Sequence, residues 1–180
     1  MTNMAISGLL TRADLDALPD DGLRHELIDG TFVMSPSPGT AHQRMAFALA
    51  RALHDAVEDT ELEVLMAPFD VVLGPNVVEP DVIVAPRAAF TERDLPTPPL
   101  LAIEVRSPST GWVDQGRKRT LYEEHGVTSY WLADPTVPSI TVLELVDGHY
   151  EEIARADGDH TISVSLPVRL MLNSALLAGG

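Results

Sequence analysis

Three side chains have the types and spacing to do chemistry together: Asp81, Glu104 and Lys118. Asp81 opens an apolar run (Val82, Ile83, Val84) and Glu104 sits inside another (Leu100, Leu101, Ala102, Ile103, Val105), so both carboxylates read as strand-borne. A carboxylate among β-branched residues is costly to bury unless it is paired, hydrogen-bonded or holding a metal. Two of them suggest a metal. A hard cation such as Mg²⁺ takes oxygen ligands and keeps several waters, so two carboxylates and a backbone carbonyl suffice. A metal held there lowers the pKa of bound water and neutralises charge on a phosphate. Lys118 is the one lysine in a chain whose other cations are all arginines. Its compact, movable charge suits a group that orients water or stabilises developing charge. The plainer alternative is an ordinary cation on a solvated helix face.

Between Asp81 and Glu104 lie a strand, a Pro-rich segment (Pro86 to Pro99) and a second strand. If the two strands are neighbours in one sheet, the carboxylates meet at their ends. Val82 to Ala85 and Leu100 to Val105 are the continuous apolar runs expected of central strands buried on both faces. The Pro-rich segment reads as an excursion over the surface, open to a gating role or to none.

The 180 residues are expected to form one domain, with residues 1–22 as a helical extension at its start. The chain has no cysteine, which excludes disulfides, thiolate metal sites and cysteine nucleophiles. No stretch approaches the roughly 20 apolar residues a membrane helix needs, so no membrane partner is expected. The N-terminal residues do not read as a signal peptide, and a cytoplasmic location is the default. A net charge of −15 opposes general attraction to nucleic acid, which relies on cations neutralising phosphates. Clustered cations and a divalent metal offset this in an acidic nuclease. Arg106, Arg117, Lys118 and Arg119 are the candidate cluster, the alternative being pairing with Glu123 and Glu124 on the same helix.

Thr11 to Leu18 reads as a short helix with a capping box between Thr11 and Asp14. Arg24 to Ile28 and Thr31 to Met34 form a hairpin about Asp29-Gly30. Alternation puts Arg24, Glu26 and Ile28 on one face, which makes Glu26 a third candidate acid; a surface pair with Arg24 or a cross-strand neighbour is the alternative. Thr40 reads as the N-cap of a long helix to about Glu58, with an apolar face through Met45, Leu49 and Leu53. His42 lies in its first turn, where the helix dipole disfavours a charged imidazole; local packing and a place lining the site are both open. Strands follow at Glu61 to Met66 and Phe69 to Leu73, then a turn at Gly74-Pro75-Asn76. A helix over Val113 to His125 buries Leu121 and Tyr122, and Ser129 to Ala133 is a strand in which Tyr130 and Trp131 are core residues. A hairpin about Asp147-Gly148 and short strands at Thr161 to Val164 and Val168 to Leu172 complete an α/β (α+β mixed) fold. Ser107-Pro108-Ser109-Thr110 reads as a turn, and Asp114 as a helix cap or a partner of Lys118. His54, His125, His149 and His160 show no metal-ligand spacing.

Pro80-Asp81, Glu104-Val105-x-Ser107-Pro108-Ser109-Thr110, Asp114-x-x-x-Lys118-x-x-x-Tyr122, Gly126-Val127 and Tyr130-Trp131-x-x-Asp134-Pro135 resemble the signatures of the Uma-type restriction endonuclease family, a branch of the PD-(D/E)XK nucleases. Glu26-Leu27-Ile28-Asp29-Gly30 and His42-Gln43 match as well, so the resemblance runs from about Glu26 to Tyr150. It implies a restriction-endonuclease-like core, a central mixed sheet flanked by helices with added antiparallel hairpins. It also implies Mg²⁺ or Mn²⁺ held by Asp81 and Glu104 beside a catalytic lysine, with Glu26 as an extra acid. The superfamily's lysine usually stands two residues after the acid, where this chain has Arg106. On a strand Arg106 would share a face with Glu104 and contact substrate phosphate, but an arginine does not replace a lysine, so the lysine role looks displaced onto Lys118. Many enzymes of this fold cut DNA as dimers, which makes a homodimer or higher homo-oligomer the expectation. Three readings follow: a metal-dependent DNA endonuclease, a non-catalytic nucleic-acid- or protein-binding domain that keeps the fold, and a glycosidase using Asp81 and Glu104 as acid and base.

Overall fold

The computed structural model describes residues 8–19, 21–107 and 113–179, and in the last segment the side chains from Gly116 onward. Helix α1 (Arg12–Asp16) starts at the expected capping box, Asp14 accepting from the Thr11 amide at 2.8 Å. Strands β1 (Arg24–Ile28) and β2 (Thr31–Ser35) form the first hairpin, and Asp29 (φ 51°) and Gly30 (φ 68°) give the paired positive φ angles of a type I′ turn. Helix α2 (Thr40–Val57) begins one residue earlier than the sequence suggests: Gly39 is its N-cap, with no side-chain cap, and Thr40 is already helical.

Strands β3 (Leu62–Met66), β4 (Asp70–Leu73), β5 (Asn76–Val78), β6 (Val82–Pro86), β7 (Asp94–Leu95) and β8 (Leu101–Val105) precede helix α3 (Val113–Glu124). Strands β9 (Ser129–Asp134), β10 (Ser139–Val146), β11 (His149–Asp157), β12 (Thr161–Val164) and β13 (Leu170–Asn173) lead to helix α4 (Ser174–Ala178). The segment read as a surface excursion is mostly exposed, but it is also anchored: it carries a 3-10 turn (Arg87–Ala89) and β7, whose Leu95 is fully buried and which pairs parallel with β4.

The central sheet has the order β11-β10-β9-β8-β6-β3, parallel at β8–β9 and antiparallel elsewhere. A second sheet runs β2-β1-β5-β4-β7, and β12 and β13 form a small hairpin. Along β6 and β8, Val82, Val84, Leu101, Ile103 and Val105 pack with Met45, Leu49 and Leu53 of α2, while Ile83, Ala85 and Ala102 pack with Leu121 and Tyr122 of α3 and with Ile28, Val71 and Val78 of the second sheet. The central sheet is thus covered by α2 on one face and by α3 and the second sheet on the other. This period-two division places Glu104 on the second face with Ala102, while Asp81 stands just before β6 at the edge of the sheet.

Burial predicts unequal costs along α2. Leu49 is fully buried against β6 and β8, whereas Phe47 is 60% exposed. Leu49→Ala is expected to cost about 2–5 kcal/mol in urea unfolding, and Phe47→Ala no more than about 0.5 kcal/mol.

Candidate active site

Strands β6 and β8 are antiparallel neighbours with Val82 opposite Ile103. One step further along, Asp81 lies across from Glu104. Asp81 is not within a strand as expected but immediately before β6, which frees its carboxylate to turn and accept the Val105 amide at 2.7 Å. The other side of the cluster comes from β1. Its alternation carries Arg24 and Glu26 on the face of Ile28, towards the central sheet, and Glu26 is 1% exposed.

Lys118 joins the layers. Its Nζ lies 2.8 Å from Glu26 Oε1 and 3.1 Å from Glu104 Oε1, and Lys118 is only 5% exposed. One turn on, the Tyr122 hydroxyl donates to the same Glu104 oxygen at 2.8 Å, the i,i+4 geometry that lets two helix residues reach one acceptor. Glu26 Oε1 also accepts the Glu79 amide at 2.7 Å. Lys118 is therefore neither a solvated helix cation nor free, and Glu26 is not a surface residue paired with Arg24.

Asp81 has a different set of partners. Arg24 donates to its Oδ1 from both terminal nitrogens, each at 3.1 Å, while Oδ2 takes the Val105 amide and lies 3.1 Å from His42 Nε2. His42 belongs to the buried stripe of α2 with Met45 and Ala46, and reaches the cluster from the helix's first turn. A carboxylate has about four acceptor positions, and here all four are used. Arg24 also donates to the Glu79 carbonyl at 3.2 Å and brings Nε to 3.8 Å from Glu79 Oε2, an oxygen with no hydrogen-bond partner among the described residues.

The charges bear the marks of this crowding. Burial pushes Glu104 up to about 7, Lys118 pulls it back and Asp81 and Glu26 push it further, with the Tyr122 hydrogen bond opposing. Burial also raises Glu79, to about 6. Burial would raise Asp81 too, but the hydrogen bond and charge of His42, the Arg24 guanidinium and the Val105 amide hold it below the ordinary range. For Lys118, burial disfavours the ammonium, yet Glu104 and Glu26 outweigh it and raise the pKa, so the ammonium stays charged. Formally, four carboxylates (Glu26, Glu79, Asp81, Glu104) face two permanent cations (Arg24, Lys118), an excess of two negative charges.

Five residues singled out in the sequence, Glu26, His42, Asp81, Glu104 and Lys118, are brought together. Arg106 is not. It lies just past the end of β8, is exposed, and donates to Asp134 at 3.1 Å, away from the cluster. The suggested cation cluster is also dispersed: Arg117 pairs with Asp29 at 2.9 Å and Arg119 donates to the Tyr150 carbonyl. Of the same-helix alternative, Glu123 accepts the Tyr150 amide and feels the Arg119 charge, but no ion pair joins it or Glu124 to a cation of α3 among the described residues. Sequence reasoning missed Arg24 and Glu79 as cluster members, and the role of the Tyr122 hydroxyl. The same alternation that marked Glu26 pointed to Arg24. Residues 108–110 of the Ser-Pro-Ser-Thr turn, and the side chain of Asp114, lie outside the described residues.

Among the described residues no three His, Asp or Glu side chains converge as an all-protein metal cage requires. A metal that keeps its waters needs only one or two carboxylates. The hard oxygen donors and the negative excess fit such a cation, provided Asp81 gives up one of its four partners.

Residues 12–176 match the model of the family described as "Uma2: Putative restriction endonuclease". The chain belongs to this family. Its fold is similar to that in a crystal structure titled as a "putative nuclease belonging to DUF820" from Anabaena variabilis, with a TM-score of 0.71 and 18% identity over 86% of this chain and 89% of that one. At that identity the likeness establishes the fold. A search of curated proteins returned no match. Family and fold together support a nuclease function and the mixed α/β, restriction-endonuclease-like architecture.

The elevated Glu104 pKa gives a direct test. In carboxyl ¹³C NMR of the metal-free protein, one glutamate is expected to titrate near pH 7. Lys118→Met, which removes the attraction favouring the carboxylate, should move that midpoint upward. The folded pKa is above the unfolded one, so Glu104 contributes stability below about pH 4.5 that is lost as pH rises through 7.

Proposed function

We propose that the chain is a divalent-metal-dependent endonuclease that hydrolyses phosphodiester bonds of DNA. The observation that carries this reading is the convergence of Asp81, Glu104 and Lys118, from the end of a sheet and a neighbouring helix, in a buried cluster with an excess of negative charge. Asp81 and Glu104 would hold Mg²⁺ or Mn²⁺. When bound, the metal supplies an acidified water and neutralises charge on the phosphate.

The chain's own residues divide the rest. Lys118 stays protonated, so it acts as a hydrogen-bond donor and not as a general base. An ammonium has three donors; Glu26 and Glu104 take two, and the third is left to orient the attacking water or to stabilise charge on the phosphorane. Glu26 fixes the ammonium, and the Tyr122 hydroxyl fixes Glu104. We further propose that the protein works in the cytoplasm as a homodimer, since one site addresses one strand of a duplex at a time.

One observation favours a second reading. With every acceptor position of Asp81 already filled, a non-catalytic nucleic-acid- or protein-binding domain would need no change in the cluster.

Calorimetric titration with Mg²⁺ and Mn²⁺, alongside plasmid nicking, separates the two. Asp81→Asn and Glu104→Gln are expected to lose both metal binding and nicking. Lys118→Met should bind metal yet nick at least about 100-fold more slowly, and Lys118→Arg should not restore the rate. Wild-type protein that binds no metal, or nicking undiminished in Lys118→Met, would remove the catalytic reading.

A further inference from the structure

Resting on that reading, we infer that Arg24 is the resident counter-ion of the metal site: it holds Asp81 while the site is empty and transfers to Glu79 Oε2 when a divalent cation enters.

The argument starts from the saturation of Asp81. Oδ1 takes two N–H groups from Arg24 and Oδ2 takes the Val105 amide and faces His42, so a metal can reach this carboxylate only by displacing a donor. The Val105 amide is part of strand β8 and cannot leave without unpairing it. His42 is held by the buried stripe of α2. Arg24 is the donor free to move: its side chain is 20% exposed, the most of Asp81's partners, and it sits on a long, jointed stem.

Glu79 is placed to receive it. Oε2 is buried and has no hydrogen-bond partner among the described residues, an arrangement that costs free energy unless something answers it. Arg24 Nε is already 3.8 Å away, and one of its terminal nitrogens is anchored on the Glu79 carbonyl. A small rotation about that anchor therefore exchanges one carboxylate for another without exposing the guanidinium. A cation entering beside Asp81 repels Arg24 in the same direction. The charge on Arg24 is kept within the cluster, and the two added positive charges meet the excess of two negative ones.

Opposite responses to two substitutions distinguish this exchange from simple structural support. Mn²⁺ affinity would be measured by calorimetry at fixed pH on the full chain, with thermal unfolding followed with and without Mn²⁺. Arg24→Met removes both the competing donor and the repulsion, so Mn²⁺ should bind roughly tenfold or more tighter. Its metal-free form should melt lower, because Asp81 Oδ1 loses both its donors, and Mn²⁺ should raise that melting temperature by more than it raises the wild type's. Glu79→Gln leaves Arg24 without a charged acceptor and should weaken Mn²⁺ binding several-fold. Weaker or unchanged binding in Arg24→Met overturns the exchange, and so does tighter binding on His42→Gln alone, which would make His42 the displaced donor. No binding in either wild type or Arg24→Met overturns the metal reading itself.

Discussion

The structure depends on one ammonium held between two layers. Lys118 Nζ contacts Glu104 on the central sheet and Glu26 on the second sheet, and arrives on the helix whose Leu121 and Tyr122 share their buried layer. Removing one partner of such a buried set leaves an uncompensated charge, at a cost of about 3–5 kcal/mol. An apolar trio of similar volume would bury there without that risk. The arrangement therefore makes most sense as a device that fixes position. It sets the depth of α3 and aligns β1 against the end of β8, and with them the spacing of Glu26, Asp81 and Glu104.

That ammonium finds its partners because of strand periodicity. On β8, residues 101, 103 and 105 go to the α2 side, so Glu104 is committed to the opposite face along with Ala102. On β1, Ile28 packs into that same layer and brings Glu26 and Arg24 with it. A one-residue slip in either strand would turn a carboxylate onto the wrong face. The tight β1–β2 turn at Asp29-Gly30 and the full burial of β8 both resist such a slip. Register is the quantity the fold protects, and the cluster is its product.

Much of this was legible in the chain. The buried runs at Val82–Ala85 and Leu101–Val105, the two hairpin turns, the paired acids and the single lysine all carry local signals that the structure preserves. What escaped did so for physical reasons. β5 is three residues long and follows Pro75, so it is too short to show alternation. Leu95 is one buried residue in a Pro-rich stretch, and its burial comes from pairing with β4, which is a tertiary fact. Arg106 sat at the expected offset from Glu104, but β8 ends at Val105 and the strand rule no longer applies one residue later. Arg24 and Glu79 were hidden by the ordinary presumption that charged residues face water. Only the layer of protein over β1 reverses it.

On the proposed function, the negative excess bears on how an acidic chain would deal with a polyanion. A net charge of −15 repels DNA at long range, and the site adds to that repulsion. Protons offer one partial remedy, since burial raises Glu104 to about 7 and Glu79 to about 6 and so neutralises part of the cluster in mild acid. A divalent cation would be the better remedy at neutral pH, because it would cancel the full excess and present positive charge to a phosphate. Lys118 alone does not achieve this: it is buried and its charge is spent on Glu26 and Glu104. On the proposed function, the carboxylates would attract the cation, while the lysine fixes the geometry of the cluster.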